Sequence, residues 1–497
     1  MENNFLQSMK KMTTMTTTEN GANTYNTSDS KLVDLFFMLS SSRNKDNNIR
    51  MMMVLDAFDE DELLTLKMIF WCRDREKQGE RLLFRNIIAY LACLGSRYEE
   101  LIKKNIKNIP VFGRWDDLFV LLDTPLESNM IKYIKNQLIR DLKLEHPSLL
   151  AKWMPSENTS SVETRKLCTK IRRKLGWSRK YYTDRITLLR KKIDIVENKL
   201  REKNYSEIDY SKLPSMAMFK YKSAFKRNDE ERYNEYLKEV SESKQKMNTS
   251  TLKPIDLVRR ALTIDNESQE RDYLNTAWEQ LPDYFNGATI NDIAVVDVSG
   301  SMMYPNSTPL YTAISLGLYL ADKTTGPFSG NVITFSDNPE LVEVKGENFI
   351  EKVCNMKNMN WGYNTNIEAV FDLIIEASVC NNLKQEEIPE RIFIISDMEF
   401  DISLSSPYTG TSKPKNVLFE DIRYKFEVNG YKMPLIVFWN VASHDDNVPM
   451  KMTEEGVQLV SGSNPSLFKA VLEGKFLTPY DLMLSILNDK RYDVIVK

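Results

Sequence analysis

The chain predicts an all-α module followed by a doubly wound α/β domain on a parallel sheet, because its apolar pattern changes once, near Asn291. From about Ile49 to Phe285, apolar residues recur at three- and four-residue steps, as in DEDELLTLKMIFWCRD, ERLLFRNIIAYLACLGS and YEELIKKNIKNI, without valine-rich alternating runs. Beyond it, IAVVDVS, GNVITFS, RIFIISD and PLIVFWNVA are short β-rich runs, separated by amphipathic segments such as LYTAISLGLYLADK, NIEAVFDLIIEASV and VLFEDIRYKF. Strands alternating with helices pair in parallel and are covered on both faces, with right-handed crossovers. At 497 residues the chain exceeds the usual size of one hydrophobic core, which fits a division into 49–285 and 286–497.

Taken from the start, residues 1–48 are rich in Thr, Asn, Ser and Met, as in TTMTTTENGANTYNTSDS, and are expected to form a mobile polar arm. KLVDLFFMLS adds a short helix to it. The opening lacks the apolar centre of a secretory leader, and no later segment approaches the roughly 20 apolar residues of a membrane helix. The expectation is a soluble, cytoplasmic protein with no membrane contact. Five scattered cysteines without a Cys-x-x-Cys pair fit packed, reduced thiols. Two histidines, His146 and His444, are too few for a histidine-rich zinc site.

In the helical module, GRWDDLFVLLD reads as a helix start, with Asp116 and Asp117 near its positive end and Trp115 packing a corner. It carries no site. Tyr182, Ile186, Leu189, Ile193, Val196 and Leu200 fall on one stripe of a long helix.

Charge is segregated around that stripe. Residues 163–192 hold twelve lysines and arginines against the acids Glu163 and Asp184, although the whole chain carries a net charge of −3. Such a segment attracts phosphates, and Lys170, Arg172, Arg173, Lys174, Arg179, Lys180 and Arg185 are its candidate RNA contacts. Trp177, Tyr181 and Tyr182 offer flat faces for unpaired bases. The bland alternative is a solvated helix face, or a patch that docks on the acidic remainder of the chain.

In the α/β domain, IAVVDVSGSMM runs a buried strand into an acid and two hydroxyls at alternate positions. Ligands of open α/β sheets bind outside the carboxyl ends of the strands, where Asp297 and Asp397 both fall. Gly300 lets the turn curl so that Asp297, Ser299 and Ser301 aim oxygens at one point. Hard oxygen donors suit Mg²⁺ or Mn²⁺. The alternative is that these oxygens only tie loops together. A nucleophile elbow is excluded, since Gly-x-Ser-x-Gly is absent and no histidine is near in sequence.

These residues resemble the metal-ion-dependent adhesion site of von Willebrand factor A domains, whose signature is Asp-x-Ser-x-Ser, then a Thr and an Asp on later loops. The resemblance implies that Thr365 in WGYNTNIEAV and Asp397 in IISDMEF complete the site, that Mg²⁺ binds there, and that an acidic side chain of a protein partner takes a remaining position. Tyr363 and Asn364 precede Thr365 where many such domains have Gly-Gly. The run GERLLFRNIIAYLACLG with IPVFGRWDDLFVLLDTP is similar to the helical module of the telomerase, Ro and vault (TROVE) family. KWMPSENTS, KLGWSRKYYTDRITLLRKKIDIVE and IDYSKLPSMAMFKYKSAFKRND are closer to a relative of that group known as domain of unknown function 2828. Together they imply a Ro-like order of helical-repeat module and von Willebrand factor A domain, binding structured or misfolded RNA without turnover. The alternatives are a protein-interaction scaffold that uses the metal site without RNA, and a metal-dependent hydrolase in which Glu399 and Asp401 join Asp297 and Asp397.

Overall fold

The structure, a computed structural model, describes residues 14–42, 45–193, 195–264, 270–304, 306–336, 338–359, 365–401, 418–443, 447–474 and 477–497, without the side chains of 418 and 420. His444 lies outside them. The chain divides into two compact units, Met1–Asp61 with Leu237–Asn488, and Glu62–Tyr236 with Asp489–Lys497.

The first unit holds a hairpin, β1 (Met15–Thr17) and β2 (Asn23–Tyr25), and a six-stranded mixed sheet. The sheet strands are β3 (Asp292–Val296), β4 (Asn331–Thr334), β5 (Leu341–Glu343), β6 (Arg391–Ser396), β7 (Leu435–Asn440) and β8 (Val457–Ser461). Their order is β5-β4-β3-β6-β7-β8, with only β4 and β5 antiparallel among these neighbours. Every residue of β3 and β6 is buried, as a strand covered on both faces requires. Helix Thr308–Lys323 packs against β3, and a Cβ at its Gly317 would lie 2.5 Å from Val296 Cγ2. Only a residue without a side chain permits that approach. The chain leaves β3 toward β4 on one side and returns to β6 on the other. The order therefore switches between β3 and β6, the position at which sheets of this kind take ligands beyond the carboxyl ends of the strands.

The expected mobile arm over 1–48 is, from Thr14 on, part of this unit. Helix Lys31–Leu39 buries every residue after Lys31 and lies against β8, where Ser461 Oγ donates to the Phe36 carbonyl at 3.0 Å. Its Ser30 cap accepts from Val33 N, and buried Asp34 accepts from Ser28 N at 2.7 Å. Tyr25 and Val448 exchange both backbone hydrogen bonds, and Lys451 Nζ donates to Thr14 Oγ1, the Thr27 carbonyl and Asp29. A polar composition hid this docking, because threonine and asparagine serve hairpin pairing as well as disorder. The division at 285 also shifts. Helices Pro254–Ala261 and Arg271–Glu279 belong to the sheet unit, the former against helix Thr308–Lys323.

The second unit is helical. Its centre includes the GRWDD turn, where buried Asp117 takes charged hydrogen bonds from Arg73 at 2.7 Å and Arg85 at 2.6 Å, and caps Arg114 N at 2.8 Å. Trp115 stacks on Tyr133 at 5.9 Å. The carboxy-terminal residues close this unit, with Tyr492 buried against Phe112 at 5.5 Å and Arg491 paired to Asp74. The predicted long helix is two. Helix Arg179–Lys192 ends where Ile193 and Ile195 turn extended, and Val196–Arg201 follows, with Asn198 Nδ2 donating to the Arg190 and Ile193 carbonyls. Tyr182, Ile186, Leu189, Ile193 and Val196 are nevertheless buried. None of the five cysteines is in a disulfide; Cys72 and Cys168 are buried, while Cys93, Cys354 and Cys380 are exposed.

Candidate functional site

The carboxyl ends of β3 and β6 gather predicted oxygen donors. Asp297 leaves β3 with its N–H bonded to the Ile395 carbonyl of β6 at 3.0 Å, so the neighbouring strand fixes its height. Its carboxylate accepts from Ser299 N at 2.9 Å and from Ser396 Oγ at 2.6 Å. The Ser299 and Ser301 hydroxyls lie 3.0 Å apart, Ser299 buried and Ser301 half-buried. Asp397, one residue past β6, is buried and accepts from Glu399 N at 3.2 Å. Burial, then the neighbouring Asp397 carboxylate, push Asp297 up to about 7 against the opposing bonds from Ser396 and Ser299. Two acids at adjacent strand ends are thus held away from bulk water, where like charges repel.

Thr365 comes from the loop before helix Ile367–Cys380 and meets the same turn. Its hydroxyl donates to the Glu399 carbonyl at 2.9 Å, its N–H bonds Asp401, and its carbonyl accepts from Asp401 N at 3.1 Å. The oxygen keeps lone pairs, since the hydroxyl acts as donor there. Glu399 and Asp401 are engaged elsewhere. The Glu399 carboxylate accepts from Glu19 N at 2.9 Å, and Asn20 Nδ2 donates to the Glu399 carbonyl at 2.8 Å. The hairpin β1–β2 therefore braces the turn after Asp397. Met398 at its head takes a positive φ of 70°. Among the described residues, no group of three or more His, Cys, Asp or Glu side chains has metal-holding geometry, so this site has two carboxylates and depends on hydroxyls.

Sequence reasoning passed over two groups here. Ser396 precedes Asp397 in IISD, and its hydroxyl links the strands by bonding both Asp297 and Met398 N. Thr18, Glu19 and Asn20 gave no signal, because only the fold brings them to Phe400 and Glu399.

The basic segment forms helices Val162–Leu175 and Arg179–Lys192, joined through left-handed Gly176. Most of the candidate RNA contacts meet acids from elsewhere in their unit. Lys170 pairs with Asp123, Lys174 with Glu127, and both Arg172 and Arg179 with Glu157. Arg185 stacks over the Tyr181 ring at 4.9 Å, while Arg173 and Lys180 are exposed. The stacking faces are also used. Tyr182 is buried with its hydroxyl on the Pro155 carbonyl, and Trp177 is buried edge-on against Tyr181.

Comparison with known proteins begins with uncharacterized protein L728 of Acanthamoeba polyphaga mimivirus, which is 31% identical over 519 aligned positions, covering 96% of this chain and 88% of the viral protein. The chain belongs to the same family. Within this family fold, residues 125–285 match the domain of unknown function DUF2828 and residues 291–488 match the domain of unknown function DUF7788. Among solved structures, proximal thread matrix protein 1 from the mussel byssus is 15% identical, with a TM-score of 0.24 over 39% of this chain and 48% of that one. That overlap is too slight to bear on fold or binding. No helix among the described residues is long and apolar enough to cross a membrane.

Proposed function

We propose that the chain is a non-enzymatic, cytoplasmic RNA-binding protein of the telomerase, Ro and vault type, in which a von Willebrand factor A-like domain offers a Mg²⁺-dependent site to a protein partner. The observation that carries the cation half is the pair of buried acids, Asp297 and Asp397, beside two serine hydroxyls 3.0 Å apart at the switch point of the sheet. The donors fit the ion. All are hard oxygens, and a divalent charge relieves the repulsion between the two carboxylates. Asp297, Ser299, Ser301 and Asp397 would hold Mg²⁺ or Mn²⁺, with Thr365 contributing through its remaining lone pairs. When bound, the ion supplies a coordination position for a partner carboxylate. Glu399 and Asp401 bind backbone groups of neighbouring loops, which weighs against a second metal and hydrolysis.

The thermal midpoint of the full chain tests this half. It rises on adding millimolar Mg²⁺ or Mn²⁺, returns with chelator, and does not respond in Asp297→Ala. A response unchanged in that variant removes the site.

The RNA half draws on Lys166, Arg173 and Lys180, exposed cations that pair with no acid among the described residues. A scaffold that uses the cation site without RNA is the second reading. The observation favouring it is that Asp123, Glu127 and Glu157 neutralise Lys170, Lys174, Arg172 and Arg179.

A further inference from the structure

Helix Val162–Leu175 presents one basic face to a shallow groove of about 550 Å³, lined by Arg165, Lys166, Thr169, Lys170, Arg173 and Lys174 among others. These positions repeat at three- and four-residue steps and span about 14 Å of helix at 1.5 Å per residue. Their charges are not equivalent. Asp123 and Glu127 answer Lys170 and Lys174, whereas Arg165 bonds only the Thr159 and Ser160 carbonyls. No carboxylate among the described residues pairs with Lys166 or Arg173, and both are exposed. Three cations thus stay uncompensated along one straight face. The Lys170–Asp123 pair is itself solvent-exposed and therefore weak, so a polyanion can recruit Lys170 as well.

We infer that this face is a phosphate-tracking site for double-helical RNA, read through its backbone and without regard to sequence. The inference rests on the RNA reading above and relocates it, from the 170–185 cluster to the outward stripe of one helix. Two observations select a duplex. A row of point charges on a straight helix matches a continuous phosphate backbone, and two of the three neighbouring aromatics that would hold unpaired bases are buried. Trp177 and Tyr182 are buried, and Tyr181, though 41% exposed, carries the Arg185 guanidinium over its ring. Single strands gain much of their sequence-tolerant affinity from stacking on successive rings, for which this surface offers Tyr181 and neither Trp177 nor Tyr182.

Fluorescence anisotropy of the full chain with two unrelated 20-base-pair RNA duplexes and an unstructured 20-nucleotide strand, across a salt series, tests the assignment. The wild type is expected to bind both duplexes within about threefold of each other and the single strand more weakly. Lys166→Glu with Arg173→Glu should lower duplex affinity at least tenfold and reduce the salt slope by about 2, one unit per lost phosphate contact. Both side chains are exposed and unpaired, so an unchanged thermal midpoint checks that the variant is folded. Lys107→Glu with Lys104→Glu, two charge reversals at other exposed positions of the unit, should leave binding within about twofold. Duplex binding retained by Lys166→Glu with Arg173→Glu, or lost equally in Lys107→Glu with Lys104→Glu, overturns this placement while the RNA reading stands. Tighter binding to the single strand overturns the duplex assignment. No RNA binding by the wild type removes both.

Discussion

The carboxyl ends of β3 and β6 in the sheet unit and the basic helices of the helical unit treat charge in opposite ways. At the sheet, Asp297 and Asp397 are far apart in sequence, yet parallel pairing of β3 with β6 brings them together, buried and with the same sign. In the helical unit, twelve cations crowded into thirty consecutive residues are parted by the fold, and four of them face an acid from outside that run. Concentrated like charge in a low-dielectric setting costs stability unless a ligand offsets it. Dispersed, paired surface charge costs little and does little. Function is therefore sought where the fold has kept charges uncompensated, at the carboxylate pair and on the Arg165, Lys166 and Arg173 face.

Removing Glu157 attacks this contrast most directly. Its carboxylate is mostly buried and serves Arg172 and Arg179 together, so Glu157→Ala should lower the stability of the helical unit by about 1.5–3 kcal/mol in urea unfolding, since part-buried Arg172 then keeps only its bond to the Trp177 carbonyl. An effect under about 0.5 kcal/mol would place these arginines among the solvated charges. The sheet should respond with the opposite sign. Asp297→Asn keeps the shape but removes one of two repelling charges, raising the chelator-treated midpoint by the equivalent of about 1–2 kcal/mol while abolishing the Mg²⁺ response. Loss of stability there would mean that the carboxylate is held by its bonds from Ser396 and Ser299 and not strained by Asp397. Asp123→Ala is the mildest probe. The residue is exposed, so stability should move by less than about 1 kcal/mol, whereas duplex RNA affinity should rise two- to threefold as Lys170 is freed.

Much of the candidate site was legible, for identifiable reasons. Alternation of Asp297, Ser299 and Ser301 after an apolar run marks a strand end, and a second such end in IISD supplies Asp397. Thr365 was reached by family resemblance alone, and its hydroxyl turns out to tie the Glu399 loop. Ser396 was hidden because a serine at the end of a strand carries no periodic signal. The arm was misread for a related reason. Composition scored its threonines and asparagines as disorder, while the nine residues Lys31–Leu39 that anchor it are a dense apolar helix with a Ser30 cap.

Helix and strand identity, the change of grammar near Asn291 and the chemistry of the Asp297 turn follow from local sequence, because they depend on residues a few positions apart whose spacing sets which face they share. Which unit each terminus joins, which acids answer which arginines, and which cations remain uncovered depend on contacts across hundreds of positions. Those contacts form only when apolar faces find their partners. Electrostatic pairing then follows from a path through space that no short window of sequence records.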